Sequence, residues 1–113
     1  MTQSRFAPLP EVPYYAVVFS SLRTTSDDGY DTISARMIEL AQKQSGFLGA
    51  ESARDVSGFG ITVSYWKDEE SIRNWKSHAE HRIAQETGKT RWYEHYITRV
   101  CKVERSYSLK KQL

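Results

Sequence analysis

The chain is predicted to fold as an α+β domain with four strands and two helices in the order β-α-β-β-α-β, an antiparallel sheet carrying both helices on one face. Three observations lead there. Short runs rich in β-branched and aromatic residues alternate with two longer stretches of helical periodicity. A tight-turn signal, Asp55-Val56-Ser57-Gly58, separates the two middle strands. Little of the 113-residue chain is left over as loop.

Residues 1–13 hold all three prolines, Pro8, Pro10 and Pro13. Proline lacks an amide donor and restricts its predecessor, so this segment reads as an extended arm, either loose or laid across a partner subunit. Residues 14–113 form one domain. Tyr14 to Leu22 is the first strand, ended by the polar run from Arg23 to Gly29. Tyr30, Ile33, Met37, Leu40, Ala41 and Gln44 recur at helical spacing, so the first helix is expected over 31–43. Asp27, Asp28 and Asp31 suit the positive end of its dipole, and Gly46 reads as its C-terminal stop. Phe47 to Arg54 and Phe59 to Lys67 are the second and third strands. The second helix runs over 68–87, capped by Gly88, and the last strand from Trp92 to Tyr107. This is the ferredoxin-like arrangement.

The last strand alternates Trp92, Glu94, Tyr96, Thr98, Val100 and Lys102 on one face with Tyr93, His95, Ile97, Arg99, Cys101 and Val103 on the other. Neither face is simply polar, and the two helices cover only one. A second copy of the same sheet would cover the other, which predicts a homodimer through the sheet face; the alternative is a monomer whose wet face carries scattered apolar residues.

Composition narrows the function. Sixteen basic and fourteen acidic residues give a net charge of +2, with no basic stripe. Nucleic acid is not an expected partner. No segment has the apolar length of a membrane span, and the start of the chain lacks a signal-peptide core, so a cytoplasmic protein is expected. The single cysteine, Cys101, rules out an internal disulfide and reads as a buried, inert thiol. No serine lies in a nucleophile turn, and no glycine cluster cradles a phosphate.

All three tryptophans and all three histidines fall between Gly58 and Tyr96. On the second helix Ile72, Trp75, Ala79 and Ile83 form the core stripe. Ser71, Trp75, His78, Arg82 and Gln85 share one border of it, while His81 falls on the solvent side. A pocket between helix and sheet would therefore have His78 at its edge, with Trp75 and Arg82 beside it; the plainer reading is a solvated helix margin. His78 and His81 lack a convincing third ligand, so no metal site is expected. Arg54 and Arg99, taken to lie on neighbouring strands, could bind an acidic ligand or form ordinary surface ion pairs.

GFLGAES after the first helix, GFGITVSYWKDEESIRNWK into the second and EHRIAQETGKTRWYEHYITRVCKVER beyond it resemble the antibiotic biosynthesis monooxygenase-like family over about residues 14 to 107. The last block is similar to a subgroup of uncertain function. The resemblance implies a dimeric α+β barrel, and an activity such as cofactor-free oxidation of polyketide-like phenols or degradation of haem. The haem-degrading members use an Asn, a Trp and a His. These positions fall here near Phe19 or Ser20, at Trp75 and at Gln85, so two of the three residues are missing. His78, on the same helix border as Gln85, is the other residue that could meet haem.

The leading expectation is a monooxygenase, without cofactor, acting on a planar aromatic substrate. Trp66, Trp75 and Trp92 would line the pocket, with His78 as the base and Arg82, Gln85 or Tyr65 as polar contacts. Because Tyr65 and Trp66 alternate, at most one of them faces the helices. A non-catalytic homodimer that binds a small apolar ligand, or is purely structural, is the rival; an adaptor role is a third possibility.

Overall fold

A computed structural model describes residues 5–24, 38–87 and 93–111, with residues 80–87 described by backbone alone. The strands are β1 (Tyr14–Arg23), β2 (Phe47–Arg54), β3 (Phe59–Trp66) and β4 (Tyr93–Val103). Helix α1 is described over 38–42, and α2 spans Glu69–Thr87. The sheet runs β2-β3-β1-β4, and every neighbouring pair is antiparallel. This is the expected ferredoxin-like α+β fold.

The register sorts the side chains into two layers. Tyr15 pairs with Trp66, Val17 with Ser64, Phe19 with Thr62 and Ser21 with Gly60. This set faces the helices, because Val17 and Trp66 pack with Ala41 of α1 and Ile72 of α2. Trp66 is 0 % exposed and anchors the core, with the Phe47 ring edge-on at 5.3 Å and the Trp75 ring at 5.8 Å. Burial of an indole on this scale is worth about 3–5 kcal/mol against alanine.

Helix α2 starts where its sequence says it should. The Asp68 carboxylate accepts hydrogen bonds from the Ser71 amide at 2.8 Å and the Ser71 hydroxyl at 2.7 Å, satisfying an otherwise orphan donor of the first turn. These bonds hold the Asp68 carboxyl below its usual range. Ile72 and Ala79 are buried and Trp75 half-buried, as the predicted stripe requires; the Ile83 side chain lies outside the described residues.

Several details differ from expectation. Gly46 has no positive φ; it is needed because a Cβ there would stand 1.9 Å from Ser71 Oγ. Ala7 and Pro8 of the arm lie against their own domain. The Ala7 amide donates to Glu51 Oε2 at 2.9 Å, and Ala7 and Pro8 pass so close to Gly49 (φ +152°) that a Cβ would meet them at 3.0–3.1 Å.

The face of the sheet away from the helices is covered unevenly. Tyr14 and Ala16 on it are buried, whereas Phe59, Ile61 and Ile97 are 46 %, 41 % and 41 % exposed. Cys101 pairs with Ala16 on this face and is exposed, not buried as expected: among the described residues nothing of the same chain covers β4 there.

Candidate functional site

The layer between sheet and helices is unusually polar for a core. Beyond Trp66 and Val17, the strands send Ser64, Thr62 and Ser21 inward, and β2 contributes Arg54. Hydroxyls on a core-facing layer must find partners or line a space that a ligand enters. Ser64 has one: its oxygen accepts the Trp66 indole N–H at 2.9 Å. The two residues are two apart on one strand, hence on the same face.

Trp75 differs. Its Nε1–H is buried and meets no acceptor among the described residues. Its ring stands 5.8 Å from that of Trp66, tilted by 47°. A buried indole donor without a partner costs about 1–3 kcal/mol. It is the kind of group that a ligand oxygen can satisfy.

A second aromatic group lies further along the same layer. Phe19 is 5.4 Å from both Tyr93 and Tyr96, and those two rings are 5.9 Å apart. Strict alternation had put Tyr93 and Tyr96 on opposite faces. A register shift between Leu22 and Arg23 brings Tyr93 opposite Arg23 and so onto the Tyr96 face. Sequence reasoning missed this cluster, since a bulge leaves no mark in the hydrophobic pattern.

The remaining candidates are distributed differently. Tyr65 points to the far face, stacks edge-on against Tyr14 at 5.9 Å and donates its hydroxyl to Glu51 Oε1 at 2.8 Å. Burial, then the Glu51 carboxylate, pushes its phenol up to about 12. His78 is exposed and lines an open cleft of about 470 Å³ with Gln44, Asn74 and Ser77. A second open cleft, about 500 Å³, lies between the arm (Pro10, Glu11, Val12) and the tail (Arg105, Ser106, Tyr107). The side chains of Arg82 and Gln85, and all of Trp92, lie outside the described residues. Arg54 and Arg99 are not neighbours: β2 and β4 are opposite edges, and Arg99 projects to the far face.

Comparison with known proteins settles the family. The profile described as antibiotic biosynthesis monooxygenase matches residues 13–87. The chain belongs to the antibiotic biosynthesis monooxygenase family. Within it, the chain is 52% identical over 96 residues to the uncharacterized protein YqjZ of Bacillus subtilis, covering 85% of this chain and 84% of that one. It is 32% identical over 95 residues to a jasmonate monooxygenase of Pyricularia oryzae, covering 81% of this chain but only 44% of the fungal protein. Among solved structures it is similar in fold to SnoaB, a cofactor-independent oxygenase of Streptomyces nogalater. That match has a TM-score of 0.61 at 10% identity and covers 88% of this chain and all of the other. At such identity only the fold is shared.

The family frame also bears on the positions compared with haem-degrading members. Phe19 occupies the inner layer with its ring packed against Tyr93 and Tyr96, and Ser20 projects to the far face opposite Ile97. Neither offers an amide to the space beside Trp75.

Proposed function

We propose that this protein is a monooxygenase that oxidises a planar, largely apolar small molecule held between α2 and the inner face of the sheet, without a cofactor, as a cytoplasmic homodimer. The observation that carries this reading is the buried, unsatisfied Nε1–H of Trp75 beside the satisfied indole of Trp66. A pre-placed donor in a water-poor layer favours an oxyanion that forms on the substrate during reaction. The family, and a monooxygenase relative at 32% identity, support the reaction class.

The chemistry balances without a reductant. A substrate carbon activated by a neighbouring phenol loses a proton, and the resulting carbanion-phenolate passes electrons to oxygen. One oxygen atom becomes a new carbonyl at that carbon; the other leaves as water with the two hydrogens that the carbon gave up. Trp75, backed by the buried ring of Trp66, packs on the substrate ring, and its Nε1 donates to the phenolate oxygen. His78, one turn beyond Trp75 on α2, is assigned as the base; its exposure allows the proton to pass to water.

The test is oxygen uptake with dithranol, a tricyclic hydroxyanthrone, in chelator-treated buffer. Turnover above the buffer rate, with one oxygen consumed per quinone formed and kcat lowered about 100-fold by Trp75→Phe, is expected. An unaltered rate in Trp75→Phe would remove the assignment. A binding dimer is the second reading, favoured by the filled core around Trp66 and by clefts that are open rather than enclosed. Saturable binding of dithranol with no oxygen uptake would establish it.

A further inference from the structure

Ser64 sits on the inner layer in an otherwise apolar row. Its partners across the sheet are Ala50 on β2 and Val17 on β1, and Val17 in turn faces Val100 on β4. A hydroxyl carries one proton to give and two lone pairs. One lone pair takes the Trp66 indole N–H at 2.9 Å. The proton is left over: among the described residues the Ser64 hydroxyl donates to no acceptor.

A second donor stands close by. Trp75 packs on Trp66 with ring centroids 5.8 Å apart, and its own Nε1–H is buried without an acceptor among the described residues. The side chains packed with this pair do not supply one. Val17, Ala41, Phe47 and Ile72 carry no polar atom, and the Tyr15 phenol bonds to neither donor. Two donors thus border the Trp66 ring in a layer short of acceptors, an environment suited to an oxygen that carries negative charge. Accepting from Trp66 also polarises the Ser64 hydroxyl towards donating, so the buried indole strengthens it. Ser64 and Trp75 are both half-buried, so neither is sealed from a ligand.

We infer that Ser64 is a second donor to the substrate oxygen, acting with Trp75 Nε1 to hold the phenolate, and that Trp66 acts on that oxygen through Ser64. The inference rests on the proposed small-molecule reading and adds a specificity-determining residue to it: the substrate presents an ionisable hydroxyl to the tryptophan pair. A Ser64 that served only to satisfy Trp66 would change stability and leave the ionisation of a bound ligand alone.

The test follows 4-nitro-1-naphthol, whose phenolate absorbs in the visible, titrated with pH free and bound in oxygen-free buffer. The parent protein should bind the phenolate about 10-fold or more tightly than the neutral phenol, a margin expected of charged hydrogen bonds. Ser64→Ala should reduce that preference about 10-fold, and Ser64→Thr should keep most of it. Trp66→Phe, which removes the polarising donor, should reduce it a few-fold. Ser20→Ala, on the far face, should leave it intact. Where Ser64→Ala does not fold because it strands the Trp66 N–H, the Trp66→Phe/Ser64→Ala pair is compared with Trp66→Phe alone, since it leaves no stranded donor. No binding of the probe, equal affinity of the parent for its two forms, or a preference that survives loss of the Ser64 hydroxyl in a folded variant overturns the inference. A preference lost in Trp75→Phe but kept in Ser64→Ala would count against Ser64 alone. A preference that depends on Ser64 in a protein that never consumes oxygen would count against the monooxygenase reading alone.

Discussion

Trp66 and Trp75 stand 5.8 Å apart, yet only the first has its indole nitrogen satisfied, through Ser64. One strand supplies both the ring and its acceptor, while the helix supplies a ring alone. The pair thus divides into a structural and an available member.

That division predicts opposite responses to removal of a polar atom. Ser64→Ala strands a fully buried N–H and should cost about 1–3 kcal/mol in denaturant unfolding. Trp75→Phe removes a donor that has no partner, so its stability change should stay below about 1.5 kcal/mol. Oxidation or ligand binding should suffer in Trp75→Phe. A Trp75→Phe protein less stable than Ser64→Ala would show that Nε1 has a structural acceptor.

Gly46→Ala should be severe for its size. The added carbon would stand 1.9 Å from Ser71 Oγ and 2.3 Å from Ser71 Cβ, so the start of α2 must shift. A loss of about 3 kcal/mol or more is expected. Adding Ser71→Gly should recover part of it, a non-additivity readable in a double-mutant cycle.

Asp68 caps α2, and its carboxyl titrates below its usual value because Ser71 donates to the ionised form. A depressed folded value stabilises the fold above the unfolded pKa, and that contribution is lost as pH falls through the folded one. Asp68→Ala should therefore lower Tm at neutral pH, with the gap to the parent closing in acid. An equal gap at both pH values would show that the cap does not act through its charge.

Tyr65 carries the reverse sign. Its phenol is pushed up to about 12 by burial and by Glu51, so the stability it contributes is present below the unfolded pKa near 10 and is lost as pH rises through the folded value. Ultraviolet titration of phenolate should show one tyrosine ionising late. Glu51→Gln should bring it earlier and also loosen the arm, since Glu51 Oε2 accepts from the Ala7 amide. Faster proteolysis within residues 5–13 would report that release.

Phe59, Ile61 and Ile97 expose an apolar patch on the half of the far face that the arm leaves bare. If a second copy sits there, Ile61→Lys should convert a dimer to a monomer in sedimentation while leaving the circular dichroism unchanged. A parent protein that sediments as a monomer would refute the sheet-face dimer.

What the chain determined by itself is what local periodicity encodes. The bounds of β2, the turn at Asp55 to Gly58 and the buried stripe of Ile72, Trp75 and Ala79 were legible, because alternation and helical spacing depend only on near neighbours. Which strands adjoin, and which side chains meet, depends on pairings between residues far apart in sequence. Only the tertiary structure separated Arg54 from Arg99 and laid Arg54 over Gly60 onto Ser21. A shift of register brought Tyr93 beside Tyr96, and packing left Cys101 exposed on the far face. The inner-layer hydroxyls were legible only afterwards: Ser64 and Trp66 share a face by simple parity, but that this face looks toward the helices was decided by packing against Ala41 and Ile72.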